Sequence, residues 1–184
     1  MEKYGGDPEV RTFEDLERRF EYRNFAEFIQ TWIWKNRFLR EYEDFEFIAE
    51  AIANDLKKQN ILYAEAFYSP STHAVRSSLQ TGRITEALRR GLARVPGIEV
   101  SLIADLTRDL GPRSAERTLM EINEVRGFGV IGIGIGGTEY EYPPHLFSKV
   151  YERARHLGFH TTAHAGEVAN SESVWGAIRE LRVE

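Results

Sequence analysis

Apolar residues recur along this chain at two different spacings, and stretches of the two kinds alternate. Between residues 43 and 59, Phe45, Ile48, Ile52 and Leu56 stand three to four apart with charges between them, which predicts a one-sided helix. The run 61–68 that follows is strand-like and ends at Ser69-Pro70. Ile84, Ala87, Leu88 and Leu92 then share a helical face, Pro96-Gly97 breaks the chain, and 98–104 reads as a second strand. Pro112 opens a helix carrying Ala115, Leu119, Ile122 and Val125, closed by Gly127, and residues 129–135 form a third strand. Pro143-Pro144 stands near the start of the next helix, with Phe147, Val150, Tyr151 and Ala154 on one face and Gly158 just past its end. Residues 159–164 are a fourth strand. A last helix follows, with Asn170 or Ser171 as N-cap and Val174, Ala177, Ile178 and Leu181 directed inward.

Four such βα units, spaced roughly 30–40 residues apart, imply an α/β fold with a parallel sheet and right-handed crossovers. Periodicity leaves two closures open: a doubly wound sheet, or part of a (β/α)8 TIM-type barrel. Residues 13–40 differ from the rest. They are helical and aromatic on more than one face (Phe25, Phe28, Ile29, Trp32, Ile33, Trp34, Phe38), which fits either core packing or a lid over a pocket for a flat ligand. No linker or composition shift divides the chain. Residues 1–184 are therefore expected to form one domain, with 13–40 as its helical lid segment and 41–184 as its βα units.

Composition narrows the chemistry. With 24 Lys and Arg against 29 Asp and Glu, the net charge of -5 speaks against a nucleic-acid-binding surface. A mean hydropathy of -0.43 and the lack of a long apolar run speak against a membrane span. The first residues show neither the basic nor the apolar region of a signal peptide, so a cytoplasmic location is expected. The chain has no cysteine. A disulfide framework, a thiolate metal site and a Cys nucleophile are thereby excluded, and any metal must be held by His, Asp or Glu.

Functional groups of parallel α/β folds gather at the carboxyl ends of the strands. Four segments fall there. In 161–167 His164 ends the fourth strand, and small residues let the backbone turn and bring Glu167 beside it; an imidazole next to a carboxylate suits a metal ligand beside a proton shuttle. Gly132, Gly134 and Gly137 match the dinucleotide fingerprint GxGxxG. That loop, however, runs into Thr138-Glu139-Tyr140-Glu141 rather than directly into a helix, placing carboxylates where phosphates would sit. Glu65 lies inside a barrel-type strand, where it needs a hydrogen-bonding partner. Arg108 stands beside Asp105 and Asp109, a pattern that predicts a structural ion pair. His73, His145, His156 and His160 stand alone and read as surface or packing residues.

Taken together, these segments resemble the adenosine deaminase family of zinc aminohydrolases, within the amidohydrolase superfamily of (β/α)8 barrels. His164-Ala165-Gly166-Glu167 is similar to the family's hallmark, 132–139 to its glycine loop, 63–70 to its second-strand motif and 25–32 to the helix over its substrate pocket. The likeness runs over residues 24–184 in the family's order. It implies zinc-dependent hydrolytic deamination of adenosine or a related 6-aminopurine, a purine nucleoside or base being the small-molecule partner. His164 would be a zinc (Zn2+) ligand. Glu167 would be the catalytic proton shuttle to a ring nitrogen while water, its pKa lowered towards ~7 by the metal, attacks the carbon bearing the amine. Gly137 would offer its backbone N–H to another ring nitrogen, and Phe28, Ile29 and Trp32 would form the apolar lid.

The sequence also departs from the family's pattern. No His-x-His pair occurs, and the sixth strand's His and the eighth strand's Asp-Asp have no counterpart. Phe67 stands where many members have Arg, and Gly134 and Thr138 replace frequent Asp residues. The chain therefore reads as an internal portion, strands two to five, inactive in isolation. Two alternatives remain at this point: an NAD-type oxidoreductase using the 132–137 loop, and a non-catalytic purine-binding module. The oligomeric state is not readable.

Overall fold

A computed structural model describes residues 2–184. Four strands form one parallel sheet in the order β1 (Tyr63–Tyr68), β2 (Glu99–Asp105), β3 (Val130–Gly134), β4 (His160–Thr161). Three helices precede it: α1 (Phe13–Arg19), α2 (Phe25–Asn36) and α3 (Tyr42–Lys58). The crossovers are α4 (Pro70–Arg76) with α5 (Thr81–Ala93), then α6 (Gly111–Glu124), then α7 (Ser148–His156). After β4, α8 (Ser171–Gly176) continues into a wider π-helical turn, Ala177–Leu181.

Sequential strand order decides between the two closures. Right-handed crossovers between strands laid down in order put every helix on the same side, which is the barrel arrangement; a doubly wound sheet reverses its order at a switch point. The core accordingly lies between the sheet and the helices. Val100, Leu102 and Ala104 of β2 meet Ile84, Ala87, Leu88, Leu119 and Ile122 there, all buried. The alternate residues face the other way. Tyr63, Glu65, Phe67, Ser101 and Ile103 line a trough of about 840 Å3 on the face that a closed barrel turns to its interior. Glu65 finds the partner expected of it, accepting a 2.9 Å hydrogen bond from the Tyr63 hydroxyl, although it is exposed rather than enclosed.

Helices α6 and α7 bury the faces their spacing predicts, with Ala115, Leu119, Ile122, Tyr151 and Ala154 fully enclosed, and Phe147 is enclosed in the 3-10 turn just before α7. Two helices depart from expectation. On α3 the buried row is Phe45, Ala49 and Ala53, while Ile52 is 48% exposed. The reason is the close approach of α5: a Cβ on Gly91 would lie 2.1 Å from the Glu46 carbonyl oxygen and 2.8 Å from Ala49 Cβ, so only small residues fit the contact. At the C-terminal end, Asn170 caps α8 as expected by accepting from Glu172 N at 3.1 Å. The inward row, however, is Ser173, Ala177 and Leu181, while Val174 and Ile178 are exposed. On this inward side Ser173 donates a hydrogen bond to Glu139. The fourth strand is two residues long instead of six, yet its pairing continues: Thr162 N donates to Ile133 O at 3.0 Å and His164 N to Ile135 O at 2.9 Å.

Candidate active site

Beyond the carboxyl ends of the strands lies a cavity of about 450 Å3. Phe28, Ile29 and Trp32 of α2 form one wall, and Gly137, His164 and Glu167 stand on another. All six residues singled out for the site thus border the same space. Helix α2 can do this because it has two apolar faces. Trp34 packs edge-on against Phe20 and Phe38, at 6.3 and 5.5 Å between ring centroids, leaving Phe28, Ile29 and Trp32 for the cavity. The helix starts at Asn24, whose side chain accepts from Glu27 N at 3.0 Å. One face of this segment thus packs against Phe20 and Phe38 while another borders the cavity.

The floor is built from three loops tied together by side-chain hydrogen bonds. Asp105, at the end of β2, accepts from Gly136 N at 2.8 Å, Thr107 N at 3.2 Å and the Ser69 hydroxyl at 2.8 Å. Asp109 accepts from Thr138 N at 3.0 Å and the Thr138 hydroxyl at 2.5 Å. The turn between the two carboxylates holds Thr107 at φ 49°, an uncommon conformation for a β-branched residue and one that strained sites collect. Gly137 has φ 115°, and no acceptor among the described residues takes its N–H.

Arg108 does not form the expected ion pair. It is 1% exposed, and its guanidinium donates to two carbonyls instead, Tyr142 O at 3.0 Å and His164 O at 2.7 Å. Its Nε has no partner among the described residues. Burial pulls its pKa down, partly offset by the nearby charge of Glu139. With the His164 N–H held by Ile135 and its carbonyl by Arg108, the His164 backbone is fixed on both sides. The His164 ring meets Phe67 edge-on at 5.5 Å between centroids. A Cβ on Gly136 would touch both His164 Nδ1, at 3.6 Å, and Asp105 Oδ1, at 3.7 Å; imidazole and carboxylate therefore converge over one stretch of bare backbone.

Glu139 was not singled out from the sequence, and it holds the fourth loop. It is 3% exposed and accepts from Gly166 N at 2.8 Å, Glu167 N at 2.9 Å, Val168 N at 3.1 Å and the Ser173 hydroxyl. Burial pushes its pKa up, but the hydrogen bonds from Ser173 and three backbone amides outweigh this and hold it below the usual carboxylate range. The remaining histidines behave as packing or surface groups. His73 stands edge-on to Phe45 at 4.8 Å, His156 Nδ1 lies 2.9 Å from Glu152 O, His160 pairs with Glu184 at 2.7 Å, and His145 is exposed.

Two chemical readings can be tested on this geometry. Dinucleotide binding needs free N–H groups in the glycine loop and a helix N-terminus for the pyrophosphate. Here the Gly136 and Thr138 amides are already donated to Asp105 and Asp109, so the loop presents anions where a pyrophosphate would have to lie. Zinc requires three protein ligands at a catalytic site. Among the described residues no three His, Asp or Glu side chains converge closely enough to hold a metal ion. The residues present therefore do not make a zinc site by themselves; His164 supplies a single imidazole donor.

Sequential parallel strands define a TIM-type barrel protein, and the candidate site lies beyond the carboxyl ends of the strands, the usual place for that fold. The chain belongs to the adenosine deaminase family of the amidohydrolase superfamily, as a partial domain: the family model described as adenosine deaminase matches residues 8–184. It is 35% identical over 173 residues to an adenine deaminase of Bordetella parapertussis, covering 92% of this chain and 54% of that protein. The crystal structure of an adenine deaminase from Arthrobacter aurescens superposes with a TM-score of 0.85 at 25% identity, over 100% of this chain and 56% of the other. An amidohydrolase from Burkholderia ambifaria, solved with bound zinc, superposes with a TM-score of 0.73 at 33% identity, over 78% of this chain and 40% of the other. The chain thus spans about half the length of the curated relatives it matches.

Proposed function

We propose that these residues form strands two to five of a barrel that hydrolyses the exocyclic amine of a 6-aminopurine such as adenosine or adenine. One water is consumed, the C6–N bond breaks, and the products are the 6-oxopurine and ammonia. The observation that carries this reading is the single cavity bordered by Phe28, Ile29, Trp32, Gly137, His164 and Glu167. Its shape suits the chemistry. Aromatic and aliphatic side chains on one wall offer an apolar face to a planar base, and the Gly137 N–H offers a directional hydrogen bond to a ring nitrogen. The Glu167 carboxyl, at the mouth of the His164 loop, would carry a proton to the ring nitrogen next to C6, making that carbon electrophilic. Likeness to two adenine deaminases supports the same class of substrate.

Zinc belongs to the proposal as the cofactor of the whole barrel, with His164 as one donor and the other donors supplied from outside these residues. On this reading the 184-residue chain alone binds a purine weakly and does not turn it over. A cytoplasmic location completes the reading, supported by the absence of cysteine; no helix among the described residues is long and apolar enough to cross a membrane.

The test is an assay of a polypeptide carrying these residues together with the remaining barrel strands, incubated with adenine, adenosine and AMP while the adenine absorbance band is followed. Turnover of at least one is expected. Glu167→Gln should abolish it while zinc content, read by elemental analysis, stays at the wild-type level. Full activity in Glu167→Gln would remove the assigned role, and no turnover of any of the three by the wild type would remove the function.

A further inference from the structure

We infer that Glu139 is a positioning residue: an internal anion that organises the backbone of 166–168 and so fixes Glu167 relative to Gly137. This deepens the deaminase reading and rests on it for the role of Glu167, but the structural core of the inference stands on geometry alone.

Three successive backbone N–H groups turned toward one point form an anion-binding concavity. Gly166, Glu167 and Val168 present such a set, made possible by the left-handed turn of Gly166 at φ 77°. In this protein the concavity is filled from within by the Glu139 carboxylate, whose remaining valence takes the Ser173 hydroxyl. Both oxygens are thus fully used, which is how a nearly inaccessible carboxylate remains tolerable in a protein interior.

The placement of Glu139 in the chain is what links it to the site. It lies two residues after Gly137, and the intervening Thr138 is pinned to Asp109 through both its amide and its hydroxyl. The short tether 137–139 therefore grips the second-strand loop at one end and the fourth-strand loop at the other. Gly137 and the Glu167 backbone are thereby joined through Thr138 and the hydrogen-bonded side chain of Glu139, with no freely rotating surface loop between them. A base held by Gly137 would consequently meet Glu167 in one orientation, and precise placement of a proton-transfer group is worth orders of magnitude in rate.

The experiment compares wild type with Glu139→Gln, and with Ser173→Ala as a milder second variant should the first fail to fold. Amide hydrogen exchange in the 184-residue chain reads the structural part. Glu139→Gln should raise exchange at Gly166, Glu167 and Val168 by about tenfold or more, the loss expected when charge-assisted hydrogen bonds are replaced by weaker or missing ones. Gly136 and Thr138, held by Asp105 and Asp109, should not change, and neither should Leu119 and Ile122 in α6. Ser173→Ala should show the same three amides with a smaller increase. Unchanged exchange at 166–168, or a uniform rise across the chain, would overturn the inference.

The catalytic part is read in the barrel that turns over purine. Glu139→Gln should lower kcat by about tenfold or more with KM within about twofold, because the groups that hold the base are untouched and only the proton-transfer group loses its fix. A rise in KM with kcat unchanged would assign Glu139 to binding rather than to positioning. Should the wild-type barrel turn over no purine, the deaminase reading fails, while the exchange experiment still decides whether Glu139 organises the loop.

Discussion

The Asp109 carboxylate occupies the place a side chain on Gly137 would need: a Cβ built there falls 1.7 Å from Asp109 Oδ2 and 3.1 Å from Arg108 Cγ. The same glycine has φ 115°, a conformation side chains disfavour. The Asp109 bonds to Thr138 hold the glycine loop against the loop after β2. Gly137→Ala must therefore either push Asp109 off Thr138 or move the loop away from the cavity. A destabilisation of about 1–3 kcal/mol is expected from strain and overpacking together, with purine affinity lost in parallel. Urea melts and calorimetric titration with adenine check both; a variant as stable as wild type that still binds would contradict the reading.

Arg108 carries a second prediction. Its guanidinium spans Tyr142 O and His164 O, joining the loop after β3 to the loop after β4. Removing it as Arg108→Ala leaves the Tyr142 and His164 carbonyls without their donors, at a cost of about 1–3 kcal/mol. Arg108→Lys should recover only part of that, because an ammonium is a compact point charge and not a planar fork. A melting curve for Arg108→Ala coincident with wild type would show that water replaces the donor.

These two residues also mark the limit of what the sequence discloses. Helices α6 and α7 were legible because their buried rows consist of large aliphatic and aromatic side chains at regular spacing, and the order of βα units was legible from the same alternation. The six candidate residues that border one cavity were legible because they lie in short local motifs that resemble a family. Arg108 and Glu139 act on backbone atoms 27 to 56 positions away, and no local spacing encodes such a contact. The only hint for Glu139 was negative: carboxylates after a glycine loop argue against a phosphate. Ile52, Val174 and Ile178 mislead for a related reason. Hydrophobic spacing assumes that the largest apolar residues face inward, whereas α3 turns alanines toward Gly91 and α8 turns Ser173 toward Glu139.

Gly91 offers a test of that packing with an inverted sign. In an exposed helix, Gly→Ala usually stabilises by up to about 1 kcal/mol. On α5 the added Cβ would meet the Glu46 carbonyl oxygen at 2.1 Å, and that atom belongs to a helix backbone that cannot swing aside. The two helices are further tied by Arg90 to Glu46 at 2.9 Å and Arg94 to Glu50 at 3.0 Å, so separation would strain the ion pairs as well. Gly91→Ala is expected to destabilise by about 1–3 kcal/mol. Thermal denaturation reads the sign directly, and an increase in Tm would refute the close contact.

The last prediction concerns acid. His73 packs against Phe45, and burial, aided by the charge of Arg76, lowers its pKa from 6.5 to about 4. Above pH 6.5 the imidazole is neutral in both folded and unfolded chains, so its contribution is complete. As pH falls from 6.5 to about 4 the unfolded chain takes up a proton that the folded one refuses, and stability declines across that window. At about 1.4 kcal/mol per unit the loss reaches about 3 kcal/mol. Asp44 extends the decline. Burial alone would raise its pKa, but hydrogen bonds from Lys3, Tyr4 and the Arg40 and Glu41 amides bring it from 3.8 to about 2. Its carboxylate stabilises the fold above pH 3.8 and ceases to do so as pH drops to about 2, costing about 2 kcal/mol more. Urea melts taken from pH 7 downward should show stability falling first between 6.5 and 4, then again below 3.8. His73→Phe should flatten the first decline and leave the second. A wild-type profile flat down to pH 4.5, or a His73→Phe profile with the first decline intact, would contradict the assignment.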